Sequence, residues 1–165
     1  VASAKARLGV GEMMGNPLEE LMMNSTIELA VGSRTFRSYS ENFEKLVRNF
    51  GKMVNVSDEW LERLKRGGAE IFVRSKFDQI EKIEDEEKRE QEITRYASDL
   101  IEAAVYTGNK SVVSSVVKRT ASALHKRRPD IALERAMYLL KSGYFDDAER
   151  LAGPYLKVGK YLRHL

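Results

Sequence analysis

Apolar residues recur every three or four positions along most of this chain, and each stretch ends at a glycine, a proline or a capping side chain. That spacing is the period of an amphipathic helix. Asn16-Pro17 opens the first helix, with Glu19 and Glu20 at its positive end. The helix is predicted over Leu18–Val31 and ends at Gly32. The capping-box spacing Ser25-x-x-Glu28 offers the alternative of a break near Asn24. Ser38-x-x-Glu41 is a second capping box. Tyr39, Phe43, Leu46, Val47 and Phe50 then build one continuous face that stops at Gly51. The link from Lys52 to Val56 reads as extended or loop. Ser57 caps a short helix carrying Trp60, Leu61 and Leu64, which the pair Gly67-Gly68 is expected to end.

From Ala69 an apolar stripe runs through Ile71, Phe72, Phe77, Ile80 and Ile83. It vanishes over 84–92 and resumes at Ile93, Tyr96, Ala97, Leu100, Ile101 and Ala104. One long helix with a solvated middle would give this pattern. Two helices joined by a short charged connection near Asp85–Lys88 also would, and we favour the two. Further helices are predicted over Lys110–Lys126, Ile131–Leu140 after Pro129-Asp130, and Tyr144–Ala152, stopped by Gly153-Pro154. Tyr155–Leu165 is a last helix or tail. No run alternates with the period of a strand. The fold class is therefore all-α: one helical domain over 17–165, of seven or eight helices, behind a flexible or partner-dependent arm over 1–16.

Gly108 and Gly143 stand 35 positions apart in matching surroundings. Each follows an apolar helix and a small hydroxyl residue, and each precedes a second helix. Ala104, Val105, Val113 and Val116 align with Leu139, Leu140, Ala148 and Leu151, so one antiparallel helical hairpin is used twice in the C-terminal half. The segment LLKSGYFDDAERLA (139–152) resembles the middle of a tetratricopeptide repeat. In that family a small residue ends the first helix, glycine and an aromatic make the turn, and an alanine packs back. Ser142, Gly143, Tyr144 and Ala148 stand in those places. The upstream copy departs from the family, with Asn109 for the aromatic and Val113 for the alanine. The resemblance therefore implies helical hairpins of repeat-like type, which act by offering a surface, rather than membership.

The chain has 165 residues, no cysteine and a formal charge of +3. Disulfides, thiolate metal sites and a cysteine nucleophile are excluded. Absence of cysteine fits a reducing, cytoplasmic setting. No apolar run approaches the ~20 residues that span a membrane. The chain begins on Val1, which leaves a processed form or a piece of a longer protein both open. The charge is uneven: 78–92 holds eight carboxylates against three bases, and the rest of the chain is basic. Two basic clusters follow. Lys118, Arg119, Lys126, Arg127 and Arg128 ride one helix and its end. Arg63, Lys65, Arg66, Arg74 and Lys76 flank Gly67-Gly68. On a shared face they would suit the phosphate backbone of RNA or DNA with little sequence preference.

No catalytic constellation is present. Gly9-x-Gly11 with Gly15 lacks the spacing and the lysine of a phosphate loop. His125 lies among Lys126, Arg127 and Arg128, and His164 is next to the last residue. The glutamates of 81–92 read as a solvated face rather than a ligand set. No metal or cofactor is expected, and the chain reads as a non-enzyme. Arg34, Phe36, Arg37, Tyr39 and Phe43 interleave bases with rings, but the rings continue an apolar face and are assigned to the core. Met13, Met14, Leu21, Met22 and Met23 form an adaptable apolar patch, suited to a partner or to filling the core. The expected function is a non-enzymatic assembly subunit. It would dock a protein partner or copies of itself through Met13, Met14, Met22, Met23 and the hairpin near Tyr144. The alternative is a small nucleic-acid-associated subunit, for instance within a ribonucleoprotein or viral assembly.

Overall fold

The computed structural model describes residues 17–153. All seven elements among them are α-helices, and no strand occurs among the described residues: α1 (Pro17–Gly32), α2 (Phe36–Val54), α3 (Asp58–Glu81), α4 (Glu86–Thr107), α5 (Lys110–Arg127), α6 (Pro129–Lys141) and α7 (Phe145–Leu151). The arm over 1–16, with Met13, Met14 and the glycine-rich run, and the tail over 154–165, with His164, lie outside the described residues. Contacts divide the chain into two compact units, Val1–Gln79 and Ile80–Leu165.

In the N-terminal unit four expectations are corrected. No break occurs near Asn24: α1 is continuous, and the hydroxyl of Thr26 bonds back to the Met22 carbonyl at 2.8 Å inside the helix. Thr35, rather than Ser38, caps α2, its hydroxyl accepting from the Ser38 amide at 3.0 Å. The helix passes Gly51 and reaches Val54, so most of the expected loop is helical. Asn55 follows it in the left-handed region at φ 55°, which asparagine tolerates better than most residues.

The fourth correction is the largest. Gly67-Gly68 does not end a helix. Ser57 caps α3 as expected, accepting from the Trp60 amide at 3.0 Å, and α3 then runs unbroken through both glycines. A β-carbon on Gly68 would lie 2.0 Å from the Tyr39 hydroxyl oxygen and 2.9 Å from the Thr26 methyl. The glycine is there because a buried tyrosine crosses the helix at that point. That tyrosine donates its hydroxyl hydrogen to the Lys65 carbonyl at 2.7 Å. Phe36 stacks on Tyr39 at 5.9 Å and meets Phe72 at 6.1 Å, and Tyr39 meets Phe43 at 6.2 Å. All four rings are buried. Each contributes about 1.5–3 kcal/mol by leaving water.

The C-terminal unit follows the sequence closely. The stripe is interrupted by a turn, not a solvated helix. Ile83 donates its amide hydrogen to the Ile80 carbonyl at 3.1 Å, and Asp85 caps α4 by accepting from the Lys88 amide at 3.1 Å. Two hairpins come next. Gly108, at φ 69° and ψ 9°, turns α4 into α5, and Asn109 caps α5 by accepting from the Ser111 amide at 3.0 Å. Gly143, at φ 90°, turns α6 into α7. Both values lie where side chains are disfavoured, so glycine suits each turn. Helix α5 packs on α4, α6 and α7, and α6 on α4 and α7, so the hairpins stack. Val113, Val116, Leu139 and Leu151 are buried between them. Alanines 97, 103, 104, 132, 136 and 148 are buried too, and their small side chains let the helices come close.

Candidate functional site

Among the described helices α5 carries the strongest charge asymmetry. Its eighteen residues include Lys110, Lys118, Arg119, Lys126 and Arg127, and no carboxylate. Its valines face inward, which leaves the bases to the outer side. The chain's own acidic segment meets them. Arg119 is ion-paired with Glu81. Arg127 bonds Glu90 through Nε at 2.6 Å and approaches Glu87 at 3.8 Å, and Lys126 reaches Glu90 at 3.3 Å. The Arg127 hydrogen bond holds the Glu90 carboxyl below its ordinary range. Glu90, only a quarter exposed, is therefore a clamp between α4 and α5 and not part of a solvated face. Arg128 grips Asp130 with two bonds, at 3.0 and 2.9 Å. Those bonds lower Asp130 to about 2 and raise Arg128.

The second basic cluster is also largely spent. The Lys65 ammonium meets Glu44 at 3.0 Å, Arg66 meets Glu62 at 3.2 Å, and Arg74 meets Glu70 at 3.5 Å. Lys76 is buried, with its ammonium 5.6 Å from the centre of the Phe72 ring. Its assignment to a phosphate-facing surface is corrected, because its charge lies over an aromatic face in the interior. Arg63 is exposed. The two basic clusters belong to different compact units, α3 residues 63–76 to the first and α5 to the second.

Met22 and Met23 are corrected likewise. They are 0% and 2% exposed, so in this fold they fill the core instead of docking a partner. Phe36, Tyr39 and Phe43 are core residues as assigned.

At the last hairpin, Tyr144 is half-buried. Its amide hydrogen goes to the Leu139 carbonyl at 2.9 Å, and its own carbonyl accepts from the Ala148 amide at 2.9 Å. The next residue, Phe145, is 62% exposed, whereas Phe36, Phe43, Phe72 and Phe77 are all buried. The sequence reading named the tyrosine and missed the phenylalanine. Tyr144 is the residue before α7 and Phe145 the first helical one, so the two leave the turn in different backbone conformations. The pattern left open which one would face out.

The groups most open to a catalytic reading have structural partners. His125 donates its Nε2 hydrogen to the Leu151 carbonyl at 2.6 Å, tying α5 to the end of α7. Asp147, buried in the first turn of α7, accepts from the Ser114 hydroxyl at 3.2 Å. The Tyr138 hydroxyl is pushed up by burial and by the Glu102 charge. Among the described residues no three His, Asp or Glu side chains converge as a metal site, and no helix is long and apolar enough to cross a membrane. In comparisons with family models, curated proteins and solved structures, nothing matches this chain.

Proposed function

We propose that this protein is a non-enzymatic interaction subunit that docks a second protein, or another copy of itself, through the turn of its last helical hairpin. The observation that carries the reading is Phe145. It sits at the first position of α7, on a turn fixed by Gly143 and by backbone hydrogen bonds from 142, 143 and 144 into the end of α6. It keeps 62% of its surface in water. A large ring held on a rigid element offers contact area at a small loss of conformational entropy, which is why such rings anchor protein interfaces. Met137 on α6, 36% exposed, adds an adaptable apolar side chain on the preceding helix.

The polar groups of this unit support the same reading. His125 and Asp147 each bond across from one helix to another and so hold the hairpins together. The test is a photo-crosslinking amino acid placed at 145 and, separately, at the exposed Lys141. The reading expects a discrete protein adduct from 145, either the second copy or another chain, and none from 141. No adduct from either position, or the same adducts from both, contradicts it.

A further inference from the structure

Six residues of α5 line one open depression of about 560 Å3: Lys110, Ser111, Ser114, Ser115, Lys118 and Arg119. On a helix these positions span an arc of roughly 180°, so they form one side of the rod. The C-terminal half of α5 is neutralised by Glu87 and Glu90, and Arg119 by Glu81. In the N-terminal half the buried Asp147 accepts from Ser114, but among the described residues no carboxylate pairs with a lysine there. Lys110 and Lys118 are exposed, and neither has an ion pair among the described residues. The depression therefore presents two unneutralised ammonium groups, the Arg119 guanidinium already paired with Glu81, and the hydroxyls of Ser111 and Ser115, while the Ser114 hydroxyl is given to Asp147.

We infer that this face of α5 is a binding site for the phosphate backbone of duplex nucleic acid. Lys110 and Lys118 stand eight residues apart, about 12 Å along the helix axis. That distance covers three to four phosphates of one strand at ~3.4 Å of axial rise each. Ammonium and hydroxyl groups are the side chains that contact phosphate oxygens and carry no base preference. Single strands are held largely by stacking on aromatic side chains. The lining is made of cations and hydroxyls, so it suits a stacked duplex that shows its backbone. The site lies on α5, apart in sequence from Phe145, so the docking reading and this one succeed or fail separately.

The experiment is fluorescence anisotropy of a labelled 20-base-pair mixed-sequence DNA duplex with the whole protein across a salt series. Variants are Lys110→Gln/Lys118→Gln and, as a control, Lys141→Gln. Two phosphate contacts give a slope of log affinity on log salt of about −1.8, so affinity falls roughly 12-fold between 50 and 200 mM salt. The double variant is expected to lose that share of the slope, while the Lys141 variant keeps it. Circular dichroism of both variants confirms that the helices persist. Absent binding at 50 mM salt, a slope unchanged in the double variant, tighter binding of the matching single strand, or full displacement by equimolar tripolyphosphate each overturns the proposal.

Discussion

Glycine does opposite things in the two halves of this chain. In the C-terminal unit Gly108 and Gly143 stop helices, taking φ values of 69° and 90° that turn one rod back on the next. In the N-terminal unit Gly68 stops nothing. It lies inside the 24 residues of α3, and its missing side chain is the space that the Tyr39 hydroxyl occupies. A glycine can thus mark a turn of its own backbone or the approach of another element. The first use leaves a local trace in sequence, in the capping residues around it. The second depends on a residue 29 positions away, which no local pattern records.

Substitutions test that contrast in order of expected effect. Gly68→Ala drives a β-carbon into the Tyr39 ring and breaks its hydrogen bond to Lys65. It should destabilise the N-terminal unit by about 2–3 kcal/mol despite the better helix propensity of alanine, read as a lower urea midpoint. Tyr39→Phe in the same chain should recover part of that loss, because the oxygen at 2.0 Å is gone. Gly143→Ala meets no atom within 4 Å but keeps a strained φ. It should cost about 1–2 kcal/mol, with no rescue from any neighbouring substitution. Gly32→Ala, at the end of α1 with open space around it and an ordinary φ, should have the opposite sign and stabilise by about 0.4–1 kcal/mol.

The smallest effect concerns pH at the hairpin junction. Asp130 falls from about 3.9 in an unfolded chain to about 2 beside Arg128. A lowered carboxyl contributes stability that is present above the unfolded value and is lost as the pH drops through the folded one. Urea midpoints between pH 4 and pH 2 should therefore fall more for the natural chain than for Asp130→Asn. Equal losses would remove the Arg128 pair from the account.

Much of the fold was legible because it rests on local signals. Ser57 and Pro129 start helices where expected, a helix begins at Lys110 as expected, and the aligned pairs around Gly108 and Gly143 give the hairpins. What the sequence hid was set by contacts distant along the chain. The basic residues looked like one stripe, but which are neutralised depends on Glu81, Glu87 and Glu90 folding back against α5. The methionines Met22 and Met23 have no local feature that separates a core from a docking surface. Phe145 stands beside Tyr144 in an apolar pair, and the spacing alone does not say which of the two faces out. In the structure Phe145, at the start of α7, is the one that stays 62% exposed.

Docking through the last hairpin requires that Phe145 be surplus to the protein's own packing, and thermal unfolding of Phe145→Ser measures that directly. A residue this exposed should change stability by under ~0.5 kcal/mol, leaving the melting temperature within about 2 °C of the natural chain. A fall of 8 °C or more, as expected for a serine at the buried Leu139, would place Phe145 in the core and remove the docking surface.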